Sequence, residues 1–178
     1  MKKSMAIMML TFTLSLIQSA FCRDYLEDAG NVLQIALPAA ALGATVYKKD
    51  LPGLIQLAEA FAATEILTEG LKYTVKETRP NGGGMSFPSG HTSAAFCGAA
   101  FIDMRYSESW GLPAYGLAAI TGWSRIESEN HFPWDVAAGA VIGLASNLIF
   151  TRKLHMNSVR LVPVAVYGNY GAALVCRW

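Results

Sequence analysis

The 178-residue chain predicts an all-α protein: a compact, membrane-embedded bundle of about five to six helices that ends in a short C-terminal β-hairpin. Three observations carry that prediction. Hydrophobic residues make up 53% of the chain and charged ones only 15%, which departs from an ordinary soluble composition toward that of membrane proteins. Five long apolar stretches lack the two-residue alternation of strands. Lysines and arginines fall at alternate junctions between those stretches, as cytoplasmic turns do. At this length there is room for one domain and one core.

The first 22 residues form a separate unit. Lys2 and Lys3 supply a positive start, Met5–Ile17 an apolar run and Gln18–Cys22 a small-residue exit. This is the pattern of a secretory signal peptide, cleaved after Ala20 or Cys22, or of a first membrane helix that stays. Phe21 sits where a lipoprotein site needs a small residue. Either reading sends the chain to the cell envelope.

The body, residues 23–153, holds the apolar stretches Val32–Tyr47, Leu54–Leu71, Thr92–Met104, Leu112–Trp123 and Val136–Phe150. Alanine, leucine and glycine dominate them, so they read as helices. Several fall short of the roughly 20 residues a spanning helix needs. The second contains Glu59, Glu65 and Glu69, costly against lipid. A very apolar soluble bundle therefore stays open beside the membrane reading. The loop charges favour the membrane: Lys2 and Lys3, Lys48 and Lys49, Arg105, and Arg152 with Lys153 mark one side. Asp24, Glu27 and Asp28 mark the other.

The tail, residues 154–178, changes character. In "VRLVPVAVYGNYGAALVCRW" β-branched and apolar residues flank Gly168-Asn169, a hairpin turn. Pro163 confines its strand to an edge, and a lone hairpin needs the bundle or a partner to pack on. His155 has no evident partner in the sequence. Cys22, Cys97 and Cys176 are too scattered for a disulfide framework or a zinc site, and Cys97 reads as a small core residue. A formal net charge of +1 without a basic stripe excludes a nucleic-acid binder. Nothing in the sequence sets the oligomeric state.

Three segments concentrate the informative polar residues. In "KYTVKETRP", Lys72 and Arg79 stand seven positions apart, two helical turns, so both cations can point the same way before Pro80 ends the helix. In "PSGHTSAAF", Ser89 is a good N-cap, Gly90 lets a ligand approach the backbone and His91 sits in the first turn. In "SRIESENHFPWD", Arg125 adds a third cation, and His131 and Asp135 are four apart. Pro133 places the helix start near Asn130–Phe132, with His131 at its mouth. Each segment alone has an ordinary structural explanation as a cap or a dipole complement. Together, three cations, a helix terminus and two histidines beside an apolar body suit phosphoryl transfer, whose non-bridging oxygens carry charge throughout. The glycine-rich loop 81–84 then has to leave one helix at Arg79 and return at Ser89 over one phosphate, which calls for backbone freedom.

Lys72-x6-Arg79-Pro80, Pro88-Ser89-Gly90-His91 and Ser124-Arg125-x5-His131-x3-Asp135 resemble the three-part signature of the type 2 phosphatidic acid phosphatase (PAP2) superfamily. Class A acid phosphatases and vanadium haloperoxidases are related to it. The resemblance covers about residues 30–152 and leaves out the tail. It implies that His131 attacks phosphorus and becomes a phosphohistidine while Asp135 fixes its tautomer. His91 protonates the leaving oxygen and then activates water. Lys72, Arg79, Arg125, Ser89 and the Gly90 backbone hold the phosphate oxygens. It implies no metal and no cofactor. "PNGG" beside the arginine is similar to small envelope phosphatases, lipid A 1-phosphatases among them. The expected function is hydrolysis of lipid phosphomonoesters or pyrophosphates at the periplasmic face of the inner membrane. Candidate substrates are lipid A, phosphatidate, phosphatidylglycerophosphate and undecaprenyl pyrophosphate. The alternative is a soluble periplasmic acid phosphatase of broad specificity.

Overall fold

A computed structural model describes residues 24–106 and 109–154 with their side chains, and beyond these the backbone of 2–23, 108, 158–166 and 169–177. Five helices follow in order: α1 (Lys2–Tyr47), α2 (Leu51–Val75), α3 (Gly90–Arg105), α4 (Glu108–Glu127) and α5 (Pro133–Phe150). Two antiparallel strands come last, β1 (Ser158–Val166) and β2 (Asn169–Arg177). Each apolar stretch named above lies inside one helix. α1 runs through the boundary at residue 22 without a break in its backbone. In the hairpin Val166 pairs with Asn169, so Asn169 belongs to a strand; Gly168 and His155 lie outside the described residues, as do the side chains of Cys22 and Cys176.

α3 is the hub and packs against all four other helices. Its sequence, GHTSAAFCGAAFIDMR, explains why: small residues on every face let neighbours approach from every side. Gly139 and Gly143 stand one turn apart on α5, where a Cβ would come within 2.5 Å of the Ser89 and Ser93 carbonyl oxygens of α3. Such small-xxx-small contacts are how membrane helices pack closely. Deeper along the same seam, the buried Asn147 amide donates to the Cys97 and Gly143 carbonyls at 3.0 Å, and its oxygen accepts from Thr151. Cys97 is buried and free, the small core residue expected.

The packing is inverted relative to a soluble bundle. Fully buried positions are mostly Ala, Ser, Thr and Gly, whereas Val32, Ile35, Ile66, Leu117, Val141, Leu148 and Ile149 face outward. Ile66 is 71% exposed and Ile149 72%. An apolar surface of this extent has no place in water; against lipid tails it costs nothing. Two stretches, Asp24–Tyr47 and Pro133–Phe150, are long and apolar enough to span a bilayer.

One end of the bundle is fastened by a buried ion pair. Asp50, the N-cap of α2, accepts from Arg105 Nη2 at 2.6 Å and Nε at 2.8 Å, and from the Tyr106 hydroxyl at 3.0 Å. Arg105 also donates to the Arg152 carbonyl at 2.6 Å. The α1–α2 turn, the end of α3 and the exit of α5 are thus one unit. The Arg105 hydrogen bond outweighs burial and holds the Asp50 carboxyl at about 2. Asp50→Asn leaves Arg105 buried without a counter-charge and is expected to cost about 3–5 kcal/mol, read as a lowered unfolding midpoint in detergent. Because the folded carboxyl titrates below its ordinary value, the stability it carries is complete above about pH 4 and is lost as pH falls toward 2.

Candidate active site

The opposite end gathers the three motif segments. Asp50-capped α2 stops at Val75, where Lys76 adopts a left-handed C-cap (φ 53°) and donates to the Lys72 carbonyl. The helix therefore ends before Arg79, a correction to the two-turn helical spacing expected for Lys72 and Arg79. A Thr78–Met85 bridge and a Ser86 N–H bond to the Glu77 carbonyl (2.7 Å) close the base of the glycine loop instead. Arg79 is still delivered to the site: its Nε donates to the Met85 carbonyl at 3.3 Å, and its charge reaches both histidines.

Gly82 (φ 79°) and Gly84 (φ 40°) take up the left-handed turns of that loop; Gly83 does not. Asn81 ties it to the α4–α5 connection, through Glu129 O (3.1 Å) and Asn130 Oδ1 (3.0 Å). Gly82→Ala is expected to cost about 1–2 kcal/mol of loop order and to slow phosphate release, while Gly83→Ala, which meets no positive-φ penalty and displaces only Asn81 Oδ1, 3.2 Å from the added Cβ, slows it less; paired assays of the two variants check this.

Ser89 caps α3, its Oγ accepting from Thr92 N at 3.4 Å, and its own N–H donates to the Asp135 carbonyl at 3.0 Å. That bond joins the starts of α3 and α5, so His91 and His131 share one site. Lys72 Nζ lies 3.3 Å from where a Cβ on Gly90 would stand, against the same helix start. It pairs with Glu69 at 2.6 Å. The residues the sequence singles out, Lys72, Arg79, Ser89, Gly90, His91, Arg125, His131 and Asp135, converge.

Phe132 is the N-cap of α5 and Pro133 its first residue, as the proline predicts. Asp135 Oδ2 accepts from Phe132 N at 2.9 Å and faces His131 Nδ1 at 3.4 Å. Ser86, which the sequence reading passed over, donates a short hydrogen bond to the same oxygen and lies 3.4 Å from His131 Nδ1. Ser86 is fully buried, and only this burial between the two motif residues gives it away. With Nδ1 committed to this pair, Nε2 is the free nitrogen of His131. Burial pushes His131 down to about 4, helped by Arg79; Asp135 opposes and Lys72 adds to the fall. The ring is neutral at ordinary pH and can act as a nucleophile. Among the described residues Asp135 Oδ1 is buried with no hydrogen-bond partner, an arrangement that costs stability. Among the described residues no three His, Cys, Asp or Glu side chains are grouped to share a metal ion.

A groove of about 700 Å³ opens from this site between α1 and α2. Lys72 and His91 stand at one end with Glu65 and Glu69; Leu42, Leu54, Leu57 and Phe61 make most of the remainder apolar.

The PAP2 superfamily model matches residues 81–158, which takes in the second and third segments. The lipid A 1-phosphatase of Helicobacter pylori (strain J99) is 30% identical over 149 residues, 77% of this chain and 73% of its own length. The chain belongs to the PAP2 superfamily. The undecaprenyl-diphosphatase BcrC of Bacillus subtilis is 33% identical over 81 residues, 45% of this chain and 41% of that protein. The crystal structure of Aquifex aeolicus LpxE superposes with a TM-score of 0.60 at 25% identity, over 75% of this chain and 84% of that one. The helical PAP2 fold expected from the three motifs is therefore the fold of this chain.

Proposed function

We propose that this PAP2 phosphatase removes phosphate from a lipid phosphomonoester or pyrophosphate at the periplasmic face of the inner membrane, through a phosphohistidine on His131. The observation that carries the lipid reading is the groove. A phosphate held by Lys72 beside His91 leaves its alcohol portion at the mouth of an apolar channel long enough for a hydrocarbon chain. Relatives whose names specify lipid A and undecaprenyl diphosphate agree with it. Outward-facing Ile66, Leu148 and Ile149 favour the membrane protein over a soluble acid phosphatase. Charge supports the proposed orientation: Lys48, Lys49, Arg152 and Lys153 lie at the end of the bundle away from the motifs, as expected of a cytoplasmic side with the site on the periplasmic one. Residues 1–22 bring the chain to that membrane as signal or anchor, and 23–153 form the phosphatase domain.

His131 Nε2 attacks phosphorus while its Nδ1 side rests against Ser86 and Asp135. Asp135, with Oδ1 unpaired, counters the positive charge that grows on the ring as the P–N bond forms. Arg79, Arg125, Lys72 and the Ser89–Gly90 helix start hold the non-bridging oxygens. His91 gives the leaving oxygen its proton, then takes one from the water that releases phosphate.

The test is phosphate release by detergent-purified protein from long-chain lipid phosphates and from p-nitrophenyl phosphate. A groove-filling Ala58→Trp is expected to lower turnover of the lipid substrates at least about 10-fold while sparing the short ester. Equal loss on both, or release of the protein by carbonate without detergent, overturns the lipid reading.

A further inference from the structure

Asn31, on α1, lies outside the segment matched by the family model and is not among the motif residues. Its Oδ1 accepts from Arg125 Nη1 at 2.9 Å and meets His91 Nε2 at 3.1 Å. Arg125 is always a donor, so the atom facing it is the amide oxygen and not the amide nitrogen. An amide oxygen only accepts. His91 Nε2 must therefore carry a hydrogen, and in the neutral ring the lone pair is on Nδ1.

The placement is built, not incidental. Gly30 allows α1 to meet α4: a Cβ there would fall 1.9 Å from Ser124 Oγ and 2.8 Å from Arg125 Nη2. Arg125 is then held from three sides, with Nη2 on the Glu27 carbonyl (2.6 Å), Nε on Ser124 Oγ (3.0 Å) and Nη1 on Asn31. One oxygen thus fixes a phosphate-binding cation and an acid–base histidine relative to each other.

We propose that Asn31 is a positioning residue that holds His91 in its Nε2–H tautomer, leaving Nδ1 to pass the proton to the departing ester oxygen and to take one back from water. The inference rests on the reading of His91 and His131 given above. Burial and the Arg125 charge hold His91 at about 4 in the protein alone; a negative phosphate beside it favours the charged ring, which takes up a proton at Nδ1 as substrate binds. In the first step the P–O bond to the alcohol breaks, the P–N bond to His131 Nε2 forms, and that Nδ1 proton goes to the leaving oxygen. In the second, water loses a proton to His91 Nδ1 as its oxygen forms the new P–O bond and His131 departs. Protons and electron pairs balance with no further reactant.

Leaving-group dependence separates this role from a structural one. Nitrophenolate leaves without a proton, whereas an alkoxide needs one. In Asn31→Leu, the rapid burst of nitrophenolate from p-nitrophenyl phosphate is expected to survive, followed by a slowed steady state because phosphoenzyme hydrolysis still needs His91. Turnover of an alkyl phosphomonoester is expected to fall roughly 10- to 100-fold. Asn31→Asp keeps an acceptor for both donors and is expected to hold kcat within a few-fold of the parent, with a raised KM from the added negative charge. Loss of the burst in Asn31→Leu, alkyl turnover within three-fold (~0.5 log unit) of the parent, or an Asn31→Asp kcat as low as that of Asn31→Leu overturns the assignment. A parent protein without phosphatase activity, or an undiminished burst in His131→Ala, instead overturns the reading of the site on which the inference rests.

Discussion

His131→Ala is expected to lower phosphate release by at least about 10⁴-fold on every substrate, with the fold intact. The magnitude follows from what the side chain would do. Among the described residues no other side chain is placed to take over: His91 is the acid–base group, its Nε2 turned to Asn31, Ser89 Oγ is turned to cap α3, Ser86 donates to Asp135, and Cys97 is buried between α3 and α5, accepting a hydrogen bond from Asn147. Without the imidazole, the cations still hold phosphate but no covalent path remains, and direct attack by water on a phosphomonoester is among the slowest of reactions. The same variant should keep or improve its affinity for inorganic phosphate, since it removes bulk and no counter-charge. Brief incubation with substrate radiolabelled in its phosphate, quenched in alkaline detergent, should label the parent protein with an acid-labile, base-stable phosphoramidate and leave His131→Ala blank. Label that persists in the variant would place the nucleophile elsewhere. Retained turnover would remove the covalent mechanism altogether.

How much of this was legible in the chain depends on distance. The five helices could be read from uninterrupted apolar runs, and their ends from Ser89, Pro133 and the cationic turns, because those are local properties. The eight motif residues stand out because phosphate chemistry demands unusual side chains in an apolar chain. The end of α2 was misjudged because Pro80 is the visible stop, while the actual stop is a left-handed Lys76, a conformation that lysine does not advertise. Ser86 and Asn31 were invisible for a different reason. Their roles come from what the fold sets beside them 45 and 60 residues away in sequence, and neither residue type is unusual in its local context. The inverted packing was half visible: the hydrophobic fraction announced an apolar protein, but only coordinates separate Ala95 inside from Ile149 outside.

Asp135→Asn is expected to lower kcat by about 10³–10⁴-fold and to move the pH dependence in a direction that reports on the mechanism. An asparagine keeps the shape and can still accept from Phe132 N, so α5 should start where it does now. It cannot supply a full negative charge to the ring as the phosphohistidine forms, and its amide can donate to His131 Nδ1 and stabilise the wrong tautomer. In the parent, burial and the Arg79 charge drive His131 down to about 4, against the opposing pull of Asp135. With p-nitrophenyl phosphate, whose leaving group needs no proton from His91, kcat/KM should therefore hold as pH falls through neutrality and decline only near pH 4, where the His131 ring gains its proton. Removing the carboxylate removes the influence that favours the charged ring, so the acid limb of kcat/KM should shift to still lower pH even as the rate collapses. A damaged fold would depress the rate and leave the limb where it was or blur it. A limb that moves upward in Asp135→Asn would mean that the group titrating there is not His131.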